Sequence, residues 1–148
     1  MADTSIRSTK RPWHLWVVGV VSLLWNSIGA LDFVMTQTKN AAYMSGVTPA
    51  QLEFYYGFPI WVVAAWGIAV WGGVLGSLLL LLRKCQAFHF FLFSIVGLIL
   101  TDLRNLVFVN GLKVMGGVGT LIFSAVIFVI AALLLLYSRS MCKRGVLN

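Results

Sequence analysis

Four long apolar stretches separated by short polar segments dominate the pattern along this chain. They run over residues 15–35, 58–82, 88–108 and 114–137. Each has the roughly 20 mostly apolar residues that a helix needs to cross a hydrocarbon core about 30 Å thick. Because backbone groups find no water inside a bilayer, each stretch is predicted to be helical. The unbroken runs 78–82 and 131–136 lack the alternation of a membrane β-barrel strand.

The composition agrees with this pattern. Of the 148 residues, 60% are hydrophobic and only 10% are charged, whereas about 25% of a typical soluble domain is charged. This excludes an ordinary soluble domain, a disordered chain and a disulfide-stapled secreted module. We therefore predict an all-α polytopic membrane protein. Residues 1–148 form one domain, a bundle of four transmembrane helices with a short surface helix in its first outer loop.

The formal net charge of +7 is mainly a topology signal. Eight of the eleven basic residues flank the spans on one predicted side: Arg7, Lys10, Arg11, Arg83, Lys84, Arg139, Lys143 and Arg144. The positive-inside rule then places both termini in the cytoplasm. The basic residues flank spans rather than form a nucleic-acid-binding patch, so no nucleic-acid partner is expected.

A cleaved signal peptide is the competing interpretation of the N-terminus. Cleavage after Ala30 would leave Ile28 where a small residue is needed, and the apolar stretch continues past that point. We therefore favour a retained first span.

The outer loop over residues 36–57 is the longest segment between spans. Thr48 can cap a helix that has Pro49 at its first position, and Gln51 can complete a capping box. One or two turns of surface helix are predicted, ended by Gly57. This helix either fixes the angle of span two or acts as a lid or docking surface.

Three ionisable residues lie inside the spans, where such groups are expensive and often functional. They are Asp32 in span one and Asp102 and Arg104 in span three. All three lie at a similar depth in the outer half of the membrane. An ion pair between Asp32 and Arg104 would therefore offset most of the cost of placing these two charges there. Asp102 and Arg104 are two positions apart and point to different sides of their helix.

Polar and small residues form a stripe on each of these two spans. Span three carries Ser94, Gly97, Thr101 and Asn105, and span one carries Ser22, Asn26, Gly29 and Ala30. The stripes indicate either a polar cleft between spans one and three or close helix–helix contact. The candidate binding residues are Asn26, Asp32, Thr101, Asp102, Arg104 and Asn105.

Two further faces consist of small residues at four-residue steps. Gly72 and Gly76 lie on span two, and Gly116, Thr120 and Ser124 lie on span four. Such faces bring membrane helices together, either within one bundle or with a second copy or another membrane protein. Besides these, the predicted partner is the lipid bilayer.

The residues that usually carry catalysis or bind metals are sparse. Cys85 and Cys142 fall on the predicted cytoplasmic side, where thiols stay reduced, and no CxxC is present. His14 and His89 lie near span ends, too shallow to bind haem as a pair. With no catalytic triad, metal cluster or phosphate loop apparent, we predict a protein without enzymatic activity or cofactor.

Several segments resemble small bacterial inner-membrane proteins, some of which are loosely labelled sugar transporters. The segments are residues 25–33, 35–40, 56–59 and 71–73. The resemblance implies a bacterial inner-membrane location and transfers no binding residues. The chain is also similar in size and span number to small multidrug transporters. Those transporters place a glutamate deep in span one. In this chain the only acidic residue of span one is Asp32, which lies close to the outer end.

The sequence supports three functional hypotheses. The leading one is passage, or assistance with passage, of a small solute, in an oligomer because four helices are few to enclose a pathway. The second is an accessory or scaffold subunit of a larger membrane complex. The third is a stress-response protein whose basic ends act on anionic lipid.

Overall fold

The computed structural model describes residues 12–108 and 111–148, without the side chain of Phe108. The helices are α1 (Trp13–Gln37), α2 (Pro49–Tyr56), α3 (Ile60–Leu81), α4 (Ala87–Leu103), α5 (Gly111–Met115) and α6 (Val118–Lys143). A 3₁₀ turn spans Tyr43–Gly46, and a π-helical turn, Arg104–Phe108, follows α4. Arg7, Lys10 and Arg11, which contribute to the predicted orientation, lie outside the described residues.

Helices α1, α3 and α6, and α4 with its π-helical continuation, are long and apolar enough to cross a membrane. The all-helical prediction with four candidate spans is thus confirmed. The predicted start of the fourth span at residue 114 is wrong, because α5 and α6 are separate helices. Gly116 and Gly117 between them have φ values of 114° and 67°, which an L side chain rarely adopts.

Helix α3 lies between α1 and α4, and α4 also packs against α6. Two sets of small residues on α3 allow this close approach. A Cβ on Gly72 would lie 3.0 Å from the carbonyl oxygen of Phe90 in α4, and one on Gly73 would overlap Asn26 in α1. Gly76 is also buried, against Phe91. The GxxxG face is therefore occupied by packing within the chain.

The two ends of the bundle differ, and we call them the basic end (residues 12–15, 80–91 and 134–148) and the loop end (residues 32–59, 101–108 and 111–117). The basic end holds a buried apolar cluster. Its members are Leu15, Leu80, Ala87, Phe91, Leu134, Met141, Val146 and Leu147. These side chains come from α1, α3, α4, α6 and the segment after α6, so the cluster ties all four long helices together.

A disulfide joins Cys85 to Cys142 at the basic end. The expectation of two separate reduced thiols is therefore wrong for this structure. The turn between α3 and α4 and the last turn of α6 meet over the apolar cluster, which brings the two Cα atoms to 5.3 Å. That separation suits a disulfide, and the sequence separation of 57 residues concealed it.

The predicted capping box at the loop end is confirmed. The Thr48 hydroxyl accepts a hydrogen bond from the Gln51 amide at 3.3 Å, and the Thr48 amide donates to Gln51 Oε1 at 3.1 Å. Pro49 is the first residue of α2, and Gly57 caps its end. Helix α2 packs against α5, so it covers the end of span three.

Candidate functional site

The polar residues in the middle of the membrane helices face α3. Asn26 Nδ2 donates to the Ser22 carbonyl at 2.8 Å and to Ser77 Oγ in α3 at 3.2 Å. Ser94 Oγ donates to the carbonyl of Ala69, also in α3. Since both polar stripes pack on the helix between them, the structure favours helix–helix contact over the alternative of a cleft between spans one and three.

Thr101 is part of this packing. It is buried, and its hydroxyl donates to the Gly97 carbonyl of its own helix at 2.9 Å. A Cβ on Gly97 would clash with backbone atoms of Ala65 and Ala69 in α3. Asn26 and Thr101 therefore lie in helix–helix contacts, Asn26 near the middle of α1 and Thr101 one residue before Asp102.

Asp32 lies at the loop end beside the 3₁₀ turn. The hydroxyl of Tyr43 donates to Asp32 Oδ1 at 2.9 Å, and the Tyr43 amide donates to Asn40 Oδ1 at 3.0 Å. The hydrogen bond to the carboxylate, with smaller contributions from burial and the negative charge, raises the pKa of Tyr43 above its ordinary value of 10.0. Asp32 thus has a neutral phenol as its partner.

Asp102 faces α6 rather than the loop. It is half-buried, and Ser124 Oγ donates to its Oδ1 over a long 3.4 Å. Thr120 Oγ1 donates to the Met115 carbonyl at 2.7 Å. Both hydroxyls of the small-residue face on α6 therefore have partners within the chain.

Arg104 is the most enclosed charged side chain at the loop end, with 9% of its surface exposed. Its guanidinium carbon lies 5.0 Å from the ring centre of Phe54 and 4.6 Å from that of Phe58. Its Nη1 donates to Asn105 Oδ1 at 3.2 Å. Arg104 and Asp32 therefore have different partners, and the suggested ion pair between them is not formed.

The π-helical turn explains how Arg104 reaches these rings. It begins at Arg104, where α4 ends, and π-turns recur at functional sites. Gly111 lies against the Phe54 ring and the Asn105 carbonyl, with no room for a Cβ. At this turn the Arg104 side chain is thus directed toward α2.

An aromatic cluster continues from Arg104 toward α1. It contains Phe33, Phe54, Tyr55, Phe58 and Trp66. Phe54 and Phe58 have ring centres 5.4 Å apart, and Phe33 and Trp66 have theirs 5.0 Å apart in an edge-to-face contact. Sequence analysis did not assign these rings to a site. The sequence feature that could have indicated these rings was a run of aromatic residues on a well-capped surface helix, in a chain that also has an arginine within a span.

The Asp32–Tyr43 pair borders the same cluster. Burial raises the pKa of Tyr55, and the neighbouring Asp32 carboxylate and Tyr43 raise it further. The loop end therefore presents a carboxylate with a phenol on one side, a guanidinium on the other, and aromatic rings between them. We call this group the loop-end site. Its members are Asp32, Tyr43, Arg104, Asn105 and the five residues of the aromatic cluster.

The loop-end site has hydrogen-bonding capacity to spare. A guanidinium has five N–H donors, and Asn105 Oδ1 is the one acceptor that Arg104 reaches within residues 12–108 and 111–148. This part of the chain holds no sealed side-chain nitrogen or oxygen without a partner. An anion such as a carboxylate or phosphate could accept from two guanidinium nitrogens at once.

Comparisons of the chain with protein-family models, with curated proteins and with solved structures found no match.

Proposed function

We propose that this protein binds a small anionic solute at the loop-end site, as a step in moving that solute across the membrane or in assisting its passage. A nearly buried guanidinium that has no carboxylate partner among residues 12–108 and 111–148 carries the proposal. Arg104 is 9% exposed and lies against two aromatic rings, with one amide oxygen as its described hydrogen-bond partner.

A buried charge is costly unless it is paired. The two rings and Asn105 offset part of the cost for Arg104, since cation–π contacts contribute about 0.5–2 kcal/mol. A carboxylate or phosphate would supply the missing negative charge through two parallel hydrogen bonds. The adjacent aromatic rings suit an apolar or ring-shaped portion of the same solute.

The interior of one chain does not favour a path for such a solute. Helix α3 lies between α1 and α4, and their polar residues are used in packing against it. A groove of about 310 Å³ between α1 and α6 is lined almost entirely by apolar side chains, including Val21 and Ile130. Passage of an anion is therefore assigned to an assembly with a second copy or a partner.

A binding measurement on the purified protein in nanodiscs of uncharged lipid tests the recognition step. The probes are inorganic phosphate, succinate and gluconate, with glucose as the neutral comparison, at constant ionic strength. We expect at least one anion to bind, and Arg104→Gln to weaken that binding about 10- to 100-fold, since a charge-assisted hydrogen bond contributes about 1.5–3 kcal/mol.

Two further variants identify the cause of a loss. Arg104→Lys keeps the charge but not the planar fork, so we expect intermediate affinity. Arg139→Gln removes an exposed charge at the basic end and should leave affinity unchanged. Equal affinities in wild type and Arg104→Gln would show that Arg104 does not recognise the anion.

Uptake into reconstituted vesicles tests the transport step. The wild type is compared with Arg104→Gln and with Asp32→Asn, which removes the carboxylate at the other side of the site. Loss of uptake in both variants supports one site that serves transport. Normal uptake in both contradicts the assignment.

An accessory subunit is the second candidate function, favoured by α6. This helix packs mainly against α4, and many of its large apolar side chains point outward, among them Ile122, Phe123, Val129 and Leu133. A native mass measurement after mild extraction distinguishes the two candidates. A fixed stoichiometry with another membrane protein supports the subunit role, and a monomer or homodimer counts against it.

A further inference from the structure

The Cys85–Cys142 disulfide lies at the opposite end from the loop-end site and joins the turn between α3 and α4 to the end of α6, above the apolar cluster. Cys85 is in the turn between α3 and α4, and Cys142 is in the last turn of α6. Apart from this end of the molecule, α6 packs mainly against α4. The disulfide is therefore the strongest single link between α6 and the α3–α4 hairpin.

The segment after α6 is held by the same turn. Gly145, with φ of 68°, reverses the chain, and residues 146–148 run back along the turn. The Cys85 amide donates to the Asn148 carbonyl at 2.7 Å, and the Asn148 amide donates to the Arg83 carbonyl at 2.6 Å. Two guanidinium nitrogens of Arg83 donate to the Val146 carbonyl, at 3.1 and 3.0 Å.

These contacts form one unit, which we call the clasp (residues 83–85 and 142–148). Val146 and Leu147 are buried in the apolar cluster beneath it, at 9% and 3% exposed. Without the disulfide, the clasp is held by the burial of Val146 and Leu147 and by hydrogen bonds for which water competes at the membrane surface. The covalent bond therefore adds to how firmly the segment is held.

The position of the disulfide conflicts with the charge pattern. Of the eight Lys and Arg residues that the structure describes, five lie at the basic end, a distribution predicted to face the cytoplasm, where structural disulfides are rare. Cysteine pairs that do bond in a reducing compartment are usually redox-sensing or catalytic. A reversible bond reconciles the two observations.

The surroundings of the two cysteines suit exchange. Both are half-buried, so neither is sealed within the protein. Lys84 and Lys143 are their immediate sequence neighbours, and nearby cations favour the thiolate that carries out the exchange. Cys85 Sγ also lies 3.4 Å from the Leu147 carbonyl, so a reduced thiol there has an acceptor within reach.

We infer that Cys85 and Cys142 form a redox-controlled clasp. In the oxidised state the disulfide fixes the end of α6 and residues 146–148 to the α3–α4 turn. Two thiols of a glutathione-class or dithiol reductant open it: one attacks a sulfur and displaces the other cysteine as thiolate, and the second thiol then resolves the mixed disulfide. The products are two protonated cysteines and one reductant disulfide, a transfer of two electrons and two protons.

Thiol trapping in membranes tests the reversibility. Cells that express the protein are quenched with acid, and free thiols are tagged with a polymer-linked maleimide that slows the chain on a gel. The chain has only two cysteines, so the reduced form carries two tags and the oxidised form none. We expect two tags in untreated cells, none after diamide, and two again after recovery. Two tags throughout, or none until denaturing reduction, would overturn the inference.

Trypsin cleavage of the purified protein tests the structural consequence. Reduction of the wild type should make cleavage after Arg144 about tenfold faster, as expected when a closed segment opens. The double variant Cys85→Ser with Cys142→Ser should show the fast rate under both conditions. Arg83→Gln is the matched control, because it removes side-chain hydrogen bonds of the clasp but keeps the disulfide and thus the response to reductant. Equal wild-type rates with and without reductant contradict the role of the bond, even if the double variant fails to fold.

Discussion

The two ends of the bundle are built from different interactions. At the basic end, apolar side chains from all four long helices fill a cluster under the Cys85–Cys142 disulfide and the backbone hydrogen bonds of residues 146–148. At the loop end, aromatic rings surround a guanidinium, and a phenol binds a carboxylate. The loop end places a guanidinium against aromatic rings, which is why we propose solute recognition there, whereas the disulfide is why we propose redox sensitivity at the basic end.

Removing the disulfide should have the largest effect on stability. A cross-link over 57 residues restricts the unfolded chain, and such bonds contribute about 2–4 kcal/mol. We expect reductant to lower the melting temperature of the wild type but not that of the double cysteine-to-serine variant. Anion binding at the loop end should persist in the reduced protein, and its loss would show that the two ends are coupled.

Thr48→Ala tests whether the loop end depends on its helix cap. The substitution removes the hydroxyl that accepts from Gln51, and the loss of an N-cap costs about 1 kcal/mol. We expect faster hydrogen exchange in α2 and weaker anion binding, because α2 carries Phe54. Exchange in residues 83–85 at the basic end should not change. Unchanged exchange in α2 would mean that aromatic packing alone holds this helix.

The contact between Asn26 and Ser77 lies between the two ends and provides a reference. Hydrogen bonds between membrane helices contribute about 0.6 kcal/mol on average. A double-mutant cycle of Asn26→Leu and Ser77→Ala should give a coupling energy of about that size. Neither variant should alter anion binding or thiol tagging. An effect of Asn26→Leu on anion binding alone would restore Asn26 as a site residue.

Asp32→Asn should have the smallest effect on the stability of the fold, and a local one. The pKa of Tyr43 is raised above 10.0 chiefly by its hydrogen bond to Asp32. This contact stabilises the fold fully below pH 10 and is lost as the pH rises through the raised pKa. In Asp32→Asn the midpoint of the Tyr43 titration should fall. Tyrosinate absorbance measures it, and Tyr43→Phe identifies the part of the signal that belongs to Tyr43. An unchanged midpoint would place the cause of the shift in burial.

The sequence-based expectations were accurate where the interacting residues are close along the chain, and less accurate where they are far apart. The capping box at Thr48 was predictable because its two partners are three residues apart. The spans were predictable to within a few residues, except where Gly116 and Gly117 separate α5 from α6. Which helices pack side by side was not predictable. The polar stripes on spans one and three are compatible with direct contact between these spans or with another helix between them.

The small residues of α3 contained part of the missing information. Gly72 and Gly76 meet α4, whereas Gly73 and Ser77 meet α1, so small residues lie on two faces of the helix. A span with small residues on two sides is suited to a position between two neighbours. The aromatic contacts of Arg104 had no comparable signal, because they depend on a π-helical turn and on where α2 lies.

The sequence by itself determined that this chain forms four apolar helices, where α2 begins, and which charged residues lie within the spans. These properties depend on hydropathy, capping and spacing along one segment. Only the tertiary structure decided that α3 separates α1 from α4, that Arg104 lies on Phe54 and Phe58 rather than on Asp32, and that Cys85 meets Cys142. The reason is physical: each of these contacts joins residues far apart in the chain, and their distance depends on how the helices pack.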